Sequence, residues 1–332
     1  MRKFVLRKGN ADMLRYSIIR ILWLIPILIC VTFIVYALID AAPGTIVDIM
    51  ISEDMTPEDI EALKKSYDLD KPMIWRYGKY MNGLIHGDLG TSMVTGNKIW
   101  DEFFSRMWAS VSLSFSGLII GVIIAIPLGI LAAKYAGTIW DNLITAFTLI
   151  GMSMPGFWLA LMLLMWLTYK VKLFPTGYDG TWRCYVLPVI SSGLTLSSGI
   201  CRQTRSAILE TSRQDYLRTA RAKGVPERRV TTHHKLRNAW IPIITQIGGL
   251  VAGSLAGNAV IEQVYTWPGT GRLLVQAITQ RDGIMACGIV ILTSTMFSIV
   301  LLLVDLCYAL VDPRVKAAYQ TKKKKKKGAI EE

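Results

Sequence analysis

Runs of residues free of Asp, Glu, Lys and Arg divide the chain. They cover residues 21–39, 107–133, 142–169, 184–201, 239–261 and 283–304, with lengths of 19, 27, 28, 18, 23 and 22. About 20 apolar residues cross a bilayer as a helix, so the pattern predicts an all-α integral membrane protein with six transmembrane helices. The fourth run is the least apolar, being rich in Ser and Gly and containing Pro188. A cleaved signal peptide is the rival for the first run, because Arg2, Lys3, Arg7 and Lys8 precede it. Its core exceeds the usual ~7–15 residues and no A-x-A site follows, which favours a retained span.

Between the first two runs lies a long polar segment, residues 40–106, with helix signals of its own. Thr56 followed by Pro57, Glu58 and Asp59 is a helix start, combining a capping hydroxyl, proline at the first position and acids at the positive end of the dipole. A second start falls at Asp70-Lys71-Pro72. Beyond it Ile74, Tyr77, Met81, Leu84 and Ile85 recur at helical spacing until Gly87. Gly90-Thr-Ser-Met-Val-Thr-Gly96-Asn97-Lys98 has the look of a phosphate loop but fails on spacing.

Composition supports the membrane assignment. Hydrophobic residues make up 52% of the chain and charged residues 18%, with a mean hydropathy of +0.39. A soluble protein carries about 25% charge. Charge then fixes orientation. With both termini inside, the inner segments hold 6 basic residues up to Arg20, 1 at Lys134, 10 from Arg202 to Arg237 and 8 after Pro313, or 25 of the 37. The positive-inside rule therefore predicts N-in/C-in, with residues 1–20 and 312–332 cytoplasmic and 40–106 extracellular. The same distribution accounts for the +13 net charge without a nucleic-acid partner. Six adjacent lysines, Lys322 to Lys327, repel one another and predict a solvated tail near membrane lipid. The cysteines at 30, 184, 201, 287 and 307 show no C-x-x-C spacing and read as buried small apolar residues.

No Walker A, H-E-x-x-H or G-x-S-x-G pattern occurs, so the chain is expected to be no enzyme. The inner loop 202–238 is the informative stretch, with ten basic and three acidic residues interrupted by Gly224 and Pro226. Leu217, Ala220 and Gly224 fall at i, i+3 and i+7 of a short helix, a narrow small-residue face among Arg218, Arg221 and Lys223. On these grounds alone a docking helix and an ordinary charged loop are equally good readings.

The stretch Asp215-Tyr-Leu-Arg-Thr-Ala-Arg-Ala-Lys-Gly-Val-Pro-Glu-Arg-Arg-Val230, with His234-Lys-Leu-Arg-Asn-Ala-Trp-Ile-Pro242, resembles the EAA loop of ABC-importer permeases. The nearest form is the oligopeptide, dipeptide and nickel branch. Ala42-Pro-Gly44, Leu69-Asp-Lys-Pro72, Gly87-Asp-Leu-Gly-Thr-Ser92, Phe174-Pro-Thr-Gly177, Trp267-Pro-Gly-Thr-Gly-Arg-Leu-Leu274 and Asp312-Pro-Arg314 resemble its other landmarks in order. Arg218 stands where the signature glutamate would be, as is usual in this branch. Thr219 and Lys235 depart from the usual alanines.

The resemblance implies a type I ABC importer permease fold, with residues 107–311 as its core and a B-type outer loop. It implies a second permease, two cytoplasmic ATPases that bind the ATP and Mg, and an extracellular or periplasmic solute-binding protein. It further implies location in a bacterial or archaeal cell membrane and no cofactor in this chain. Asp215, Leu217, Arg218, Ala220, Arg221, Ala222, Lys223, Gly224 and Glu227 become the candidate ATPase-docking residues. Peptide is the expected solute, with a nickel chelate or another solute of the branch as the alternative. An ion-coupled carrier would need paired ionisable residues at mid-membrane, and Asp305 sits at a span end instead. Candidate path residues are Ser153, Met154, Pro155 and Phe157, where Pro155 should kink the third span, and Asn258. Gly249-x-x-x-Gly253-x-x-x-Gly257 predicts close helix packing, within the chain or against the second permease.

Overall fold

The computed structural model describes residues 2–41, 47, 51 and 55–311. The Ala42-Pro-Gly44 and Asp312-Pro-Arg314 landmarks and the lysine tail lie outside the described residues, as does the Asp305 side chain. Throughout the described residues the chain is helical, with one isolated antiparallel bridge between Thr91 and Lys98. The helices are α1 (Arg2–Ala41), α2 (Pro57–Ser66), α3 (Met73–Ile85), α4 (Ile99–Lys134), α5 (Ile139–Ser153), α6 (Gly156–Leu163), α7 (Arg183–Ser212), α8 (Asp215–Ala222), α9 (Leu236–Gly257), α10 (Ala259–Val264), α11 (Thr270–Thr279) and α12 (Gly283–Val311). A π-helical stretch, Leu164–Lys170, follows α6, and another, Val230–Lys235, precedes α9.

Three described helices, α4, α7 and the 283–304 part of α12, are long and apolar enough to cross a membrane. A fourth span results if α5 and α6 count as one. That pair departs from the expected kink: Met154 is extended, Pro155 caps α6, and the two helices bend by 100°. Proline lacks the amide that would continue the ladder and disfavours helix in the residue before it, so the span breaks rather than bends.

The weakest sequence run became the most enclosed helix. In α7, 56% of the most apolar window is buried, against 33% in α4 and 28% in α12. Its hydroxyls bond back to their own turns, Ser191 to Leu187 O, Thr204 to Ile200 O and Thr211 to Ala207 O. Polar content lowers hydropathy here because the helix faces protein instead of lipid.

The chain divides into two compact units, one of Met1–Arg20, Leu113–Ser254 and Ser298–Glu332, the other of Ile21–Ser112 and Leu255–Phe297. In the first, α4 and α7 approach until backbone nearly meets backbone. A methyl group on Gly117 would meet the Ser192 side chain at 2.6 Å, and one on Gly193 would meet Gly117 O at 3.0 Å. Around this seam Leu118, Ala125, Ile200 and Cys201 are buried together. Asp141, opening α5, is buried and takes a two-pronged pair from Arg205 of α7, at 2.6 and 2.8 Å. The expected close packing of Gly249 and Gly253 is not seen among the described residues, where a methyl group on either would meet nothing within 4 Å.

In the second unit, Ile99 and Phe103 of α4 join Leu273, Ala277, Met285 and Ile289 in a core that also takes in Tyr80 and Leu89. Helix α2 carries the expected capping box between Thr56 and Asp59. Helix α3 has the expected start, but its buried residue is Tyr80, while Ile74 and Ile85 are 74% and 79% exposed. Tyr77 instead donates to Ile29 O of α1 and stacks edge-on against Phe33. The glycine-rich stretch after α3 is a turn fastened to the start of α12, where Ser92 Oγ donates to the buried Asp282. Cys184, Cys201 and Cys287 are buried as expected, whereas Cys30 is exposed on α1.

Candidate functional site

The segment joining α7 to α9 is built around α8. Gln214 is extended and Asp215 opens the helix, its charge suited to the positive end. Helix α8 is strongly amphipathic: Leu217 is fully buried and Ala220 is 9% exposed, while Asp215, Tyr216, Arg218, Thr219, Arg221, Ala222 and Lys223 face outward. Leu217 and Ala220, two of the residues expected to dock the ATPase, seat the helix on its own chain. Apolar side chains on an eight-residue helix must bury for the helix to persist at all.

Gly224 ends the helix. Its φ is 74°, its amide donates to Arg221 O, and Val225 N donates to Ala220 O. Left-handed geometry at this position is what glycine supplies without strain. Pro226 then restarts a short turn, Glu227–Arg229. Across the corner Glu227 accepts from Arg221 Nε at 3.0 Å and Nη2 at 2.9 Å, and from Lys235 Nζ at 3.2 Å. Arg221 first, and Lys235 after it, hold the Glu227 carboxyl down at about 2. Tyr216 accepts from Asn238 Nδ2 at 2.6 Å, tying α8 to the start of α9. The result is a braced corner whose outer face carries Arg213, Arg218 and Lys223 beyond the Glu227 cluster.

In the same unit the α5–α6 break exposes Ser153, Pro155 and Phe157, with Met154 half-buried. Ser153 Oγ donates to Leu149 O, so its hydroxyl is occupied by its own turn. A methyl group on Gly156 would lie in ordinary contact distance of Thr195 on α7. Alongside α7 an open groove of about 470 Å³ is lined by Gln203, Pro242, Thr245, Gln246 and Gly249. Two glutamines and a threonine stand there among Ile241, Pro242, Leu250 and Gly249, so the groove is largely apolar with three neutral polar side chains. The sequence reading named Pro155 for the path and missed this groove, although the Thr245-Gln246 pair inside an apolar run marks it. Asn258, the remaining path candidate, belongs to the other unit, immediately precedes α10 and is buried.

That second unit holds a group the sequence reading also missed. Glu262 is 1% exposed, accepts from Ser110 Oγ at 2.6 Å and from Arg272 N at 2.9 Å, and sits against Gly269 and Gly271, which have no room for a side chain. Trp267 is fully buried and donates to Ala109 O. Trp267-Pro-Gly-Thr-Gly271 is therefore a fastened loop wrapped around a buried carboxylate. The run 239–261 stops one residue short of Glu262, so a count of charge-free windows passes over it.

Comparison with known proteins bears on what these parts do together. The model of the family described as binding-protein-dependent transport system inner membrane component matches residues 125–317, and the N-terminal model of the same system matches 13–114. The chain is 37% identical to the dipeptide transport system permease protein DppB of Escherichia coli K12, covering 92% of this chain and 99% of that one. It is 34% identical to the oligopeptide transport system permease protein AppB of Bacillus subtilis, over 91% and 99%. With the glutathione transport system permease protein GsiC of Escherichia coli K12 the identity is 33%, over 92% and 99%. Among solved structures, the inward-facing MetNI methionine ABC transporter shares the fold with a TM-score of 0.54 and 16% identity, over 63% of this chain and 96% of that one.

Proposed function

The chain belongs to the family of binding-protein-dependent transport system inner membrane components, and from that premise we propose that it is one permease of an ABC importer for short peptides. The carrying observation is 37% identity to a dipeptide permease along 92% of the chain. In this reading six helices cross the bacterial inner membrane with both termini inside. A second permease completes the pathway, an external binding protein delivers solute, and two cytoplasmic ATPases supply the energy. The ATP and Mg belong to those partners, and this chain performs no chemistry itself.

Force has to enter through a rigid inner element, and the 213–230 corner has the properties required. It is exposed, cationic on its outer face, anchored inward by Leu217 and braced across the turn by Glu227. Moving the corner would move α7 and α9 together, because α8 follows α7 after only Arg213 and Gln214, whose turn is hydrogen-bonded to the end of α7, and is hydrogen-bonded to the start of α9. The groove beside α7 and the α5–α6 break would then line the route.

Reconstitution tests the reading. In proteoliposomes carrying both permeases and the ATPases, with binding protein and dipeptide outside, uptake should require internal ATP and persist when the proton gradient is collapsed. The permease alone should hydrolyse no ATP. Uptake that continues without ATP, or stops with the gradient, would make the chain an ion-coupled carrier instead.

A further inference from the structure

Two buried side-chain polar atoms among the described residues have no hydrogen-bond partner: the Tyr80 hydroxyl and Arg281 Nη1. Tyr80 is 9% exposed. Both residues line one cavity of about 320 Å³, formed by the outer end of α1, the α2–α3 region and the start of α12. Buried donors are ordinarily satisfied, so two orphans on residues that line one cavity call for an acceptor.

The other charges on that wall narrow its chemistry. Arg76 is paired with Asp40 and Lys79 with Asp68. Asp88 accepts from Gly90 N. Asp282, beside Arg281, is occupied by Ser92 Oγ and Met285 N. Arg281 is therefore the cation left for an anion, and its φ of 57° holds it in a backbone conformation unusual for a non-glycine residue. Three carboxylates on the same wall would repel a dianion such as phosphate. A single carboxylate suits one guanidinium and one phenol, both able to donate to it. Ligand sites span about 300–1,000 Å³, so this volume admits an amino acid or a short peptide and no long one. An ammonium group on the same solute would find Asp88 within the cavity.

We propose that this cavity binds a small zwitterionic solute by its carboxylate, which accepts from the Tyr80 hydroxyl and from the Arg281 guanidinium once these side chains shift to meet it. Tyr36, Ile39 and Ile284 supply the apolar walls. The site is separate from the coupling corner and does not depend on the role given to it.

Titrating the purified full chain in lipid nanodiscs, without binding protein or ATPases, tests this. The probes are L-alanyl-L-alanine and its C-terminal amide. Saturable binding of the free acid is expected, with the amide and the Arg281→Gln variant each at least about tenfold weaker, because the charge-assisted pair is lost. Tyr80→Phe should weaken binding by about threefold while leaving the melting temperature unchanged or higher, since the hydroxyl it removes has no protein partner. If Arg281→Gln fails to accumulate, the acid–amide comparison and Tyr80→Phe decide. No saturable binding up to about 10 mM, equal binding of acid and amide, or binding indifferent to both substitutions would overturn the proposal. Failure would leave the importer reading standing, because ATP-driven uptake is measured separately on the assembled complex.

Discussion

At Gly224 two explanations for glycine make different demands, and the structure separates them. A side chain there would meet nothing within 4 Å, so crowding inside the chain is not the reason for glycine. The φ of 74° is, because left-handed backbone costs a β-carbon residue roughly 1–2 kcal/mol. Gly224→Val should abolish uptake while the protein still reaches the membrane, and Gly224→Asp should do the same by placing a new charge on the corner. Gly224→Asn, which tolerates this geometry, should keep part of it. Co-purification of the ATPases, measured beside uptake, reads the coupling directly, and a Val variant that keeps both would refute the role assigned to the corner. Glu227 makes a different prediction. Folding lowers its pKa from 4.5 to about 2, so its contribution is fully present above about pH 4.5 and is lost as the pH falls toward 2. Across about pH 5–8 the corner stays charged, and Glu227→Gln should lower solute-stimulated ATP hydrolysis equally at every pH in that window. Because Glu227 is 58% exposed, the accompanying loss of stability should be under about 1 kcal/mol.

Helices divide into those whose small residues are used within the chain and those whose small residues are left open. Gly117 and Gly193 set the α4–α7 distance, so Gly117→Ala should destabilise the isolated protein by about 1–3 kcal/mol, the usual cost of overpacking. Gly249→Ala and Gly253→Ala should leave its melting temperature unchanged, since a methyl group meets nothing there. If that stripe seats the second permease, these two variants should lose co-purification of the partner instead. Sequence alone pointed to the open stripe, because Gly249, Gly253 and Gly257 repeat every four residues. It passed over the used seam, because Gly117 and Gly193 lie on different helices and pair only through the fold. The same limit explains Asp141 with Arg205 and Glu262 with Ser110, pairs 64 and 152 residues apart. Local chemistry was legible: the Thr56 cap, the position though not the size of the disruption at Pro155, and the helix end at Gly224 each depend on residues within one turn. Which face of α3 or α8 is buried was not, since an amphipathic pattern does not say whether its apolar side meets its own chain or another.

For the molecule as a whole, orientation carries the most weight, because the coupling role requires the 213–230 corner to be cytoplasmic. Ten Lys and Arg from 202 to 237 and six up to and including Arg20 would all have to cross the membrane if the chain were inverted. Helical structure in α1 does not alter that count, since the six charges precede the apolar run in either case. Membrane-impermeant maleimide can read the outcome at two positions that the structure exposes, Lys64 on α2 and Arg218 on α8. Cysteine at 64 should label in intact cells. Cysteine at 218 should label only after the membrane is opened. Native Cys30 lies on α1 within the first apolar run, and lipid contact should keep it unreactive to an aqueous reagent in both conditions. Labelling of 218 from outside would put the basic corner on the wrong face of the membrane, and ATPase docking there would have to be abandoned even though family membership would stand.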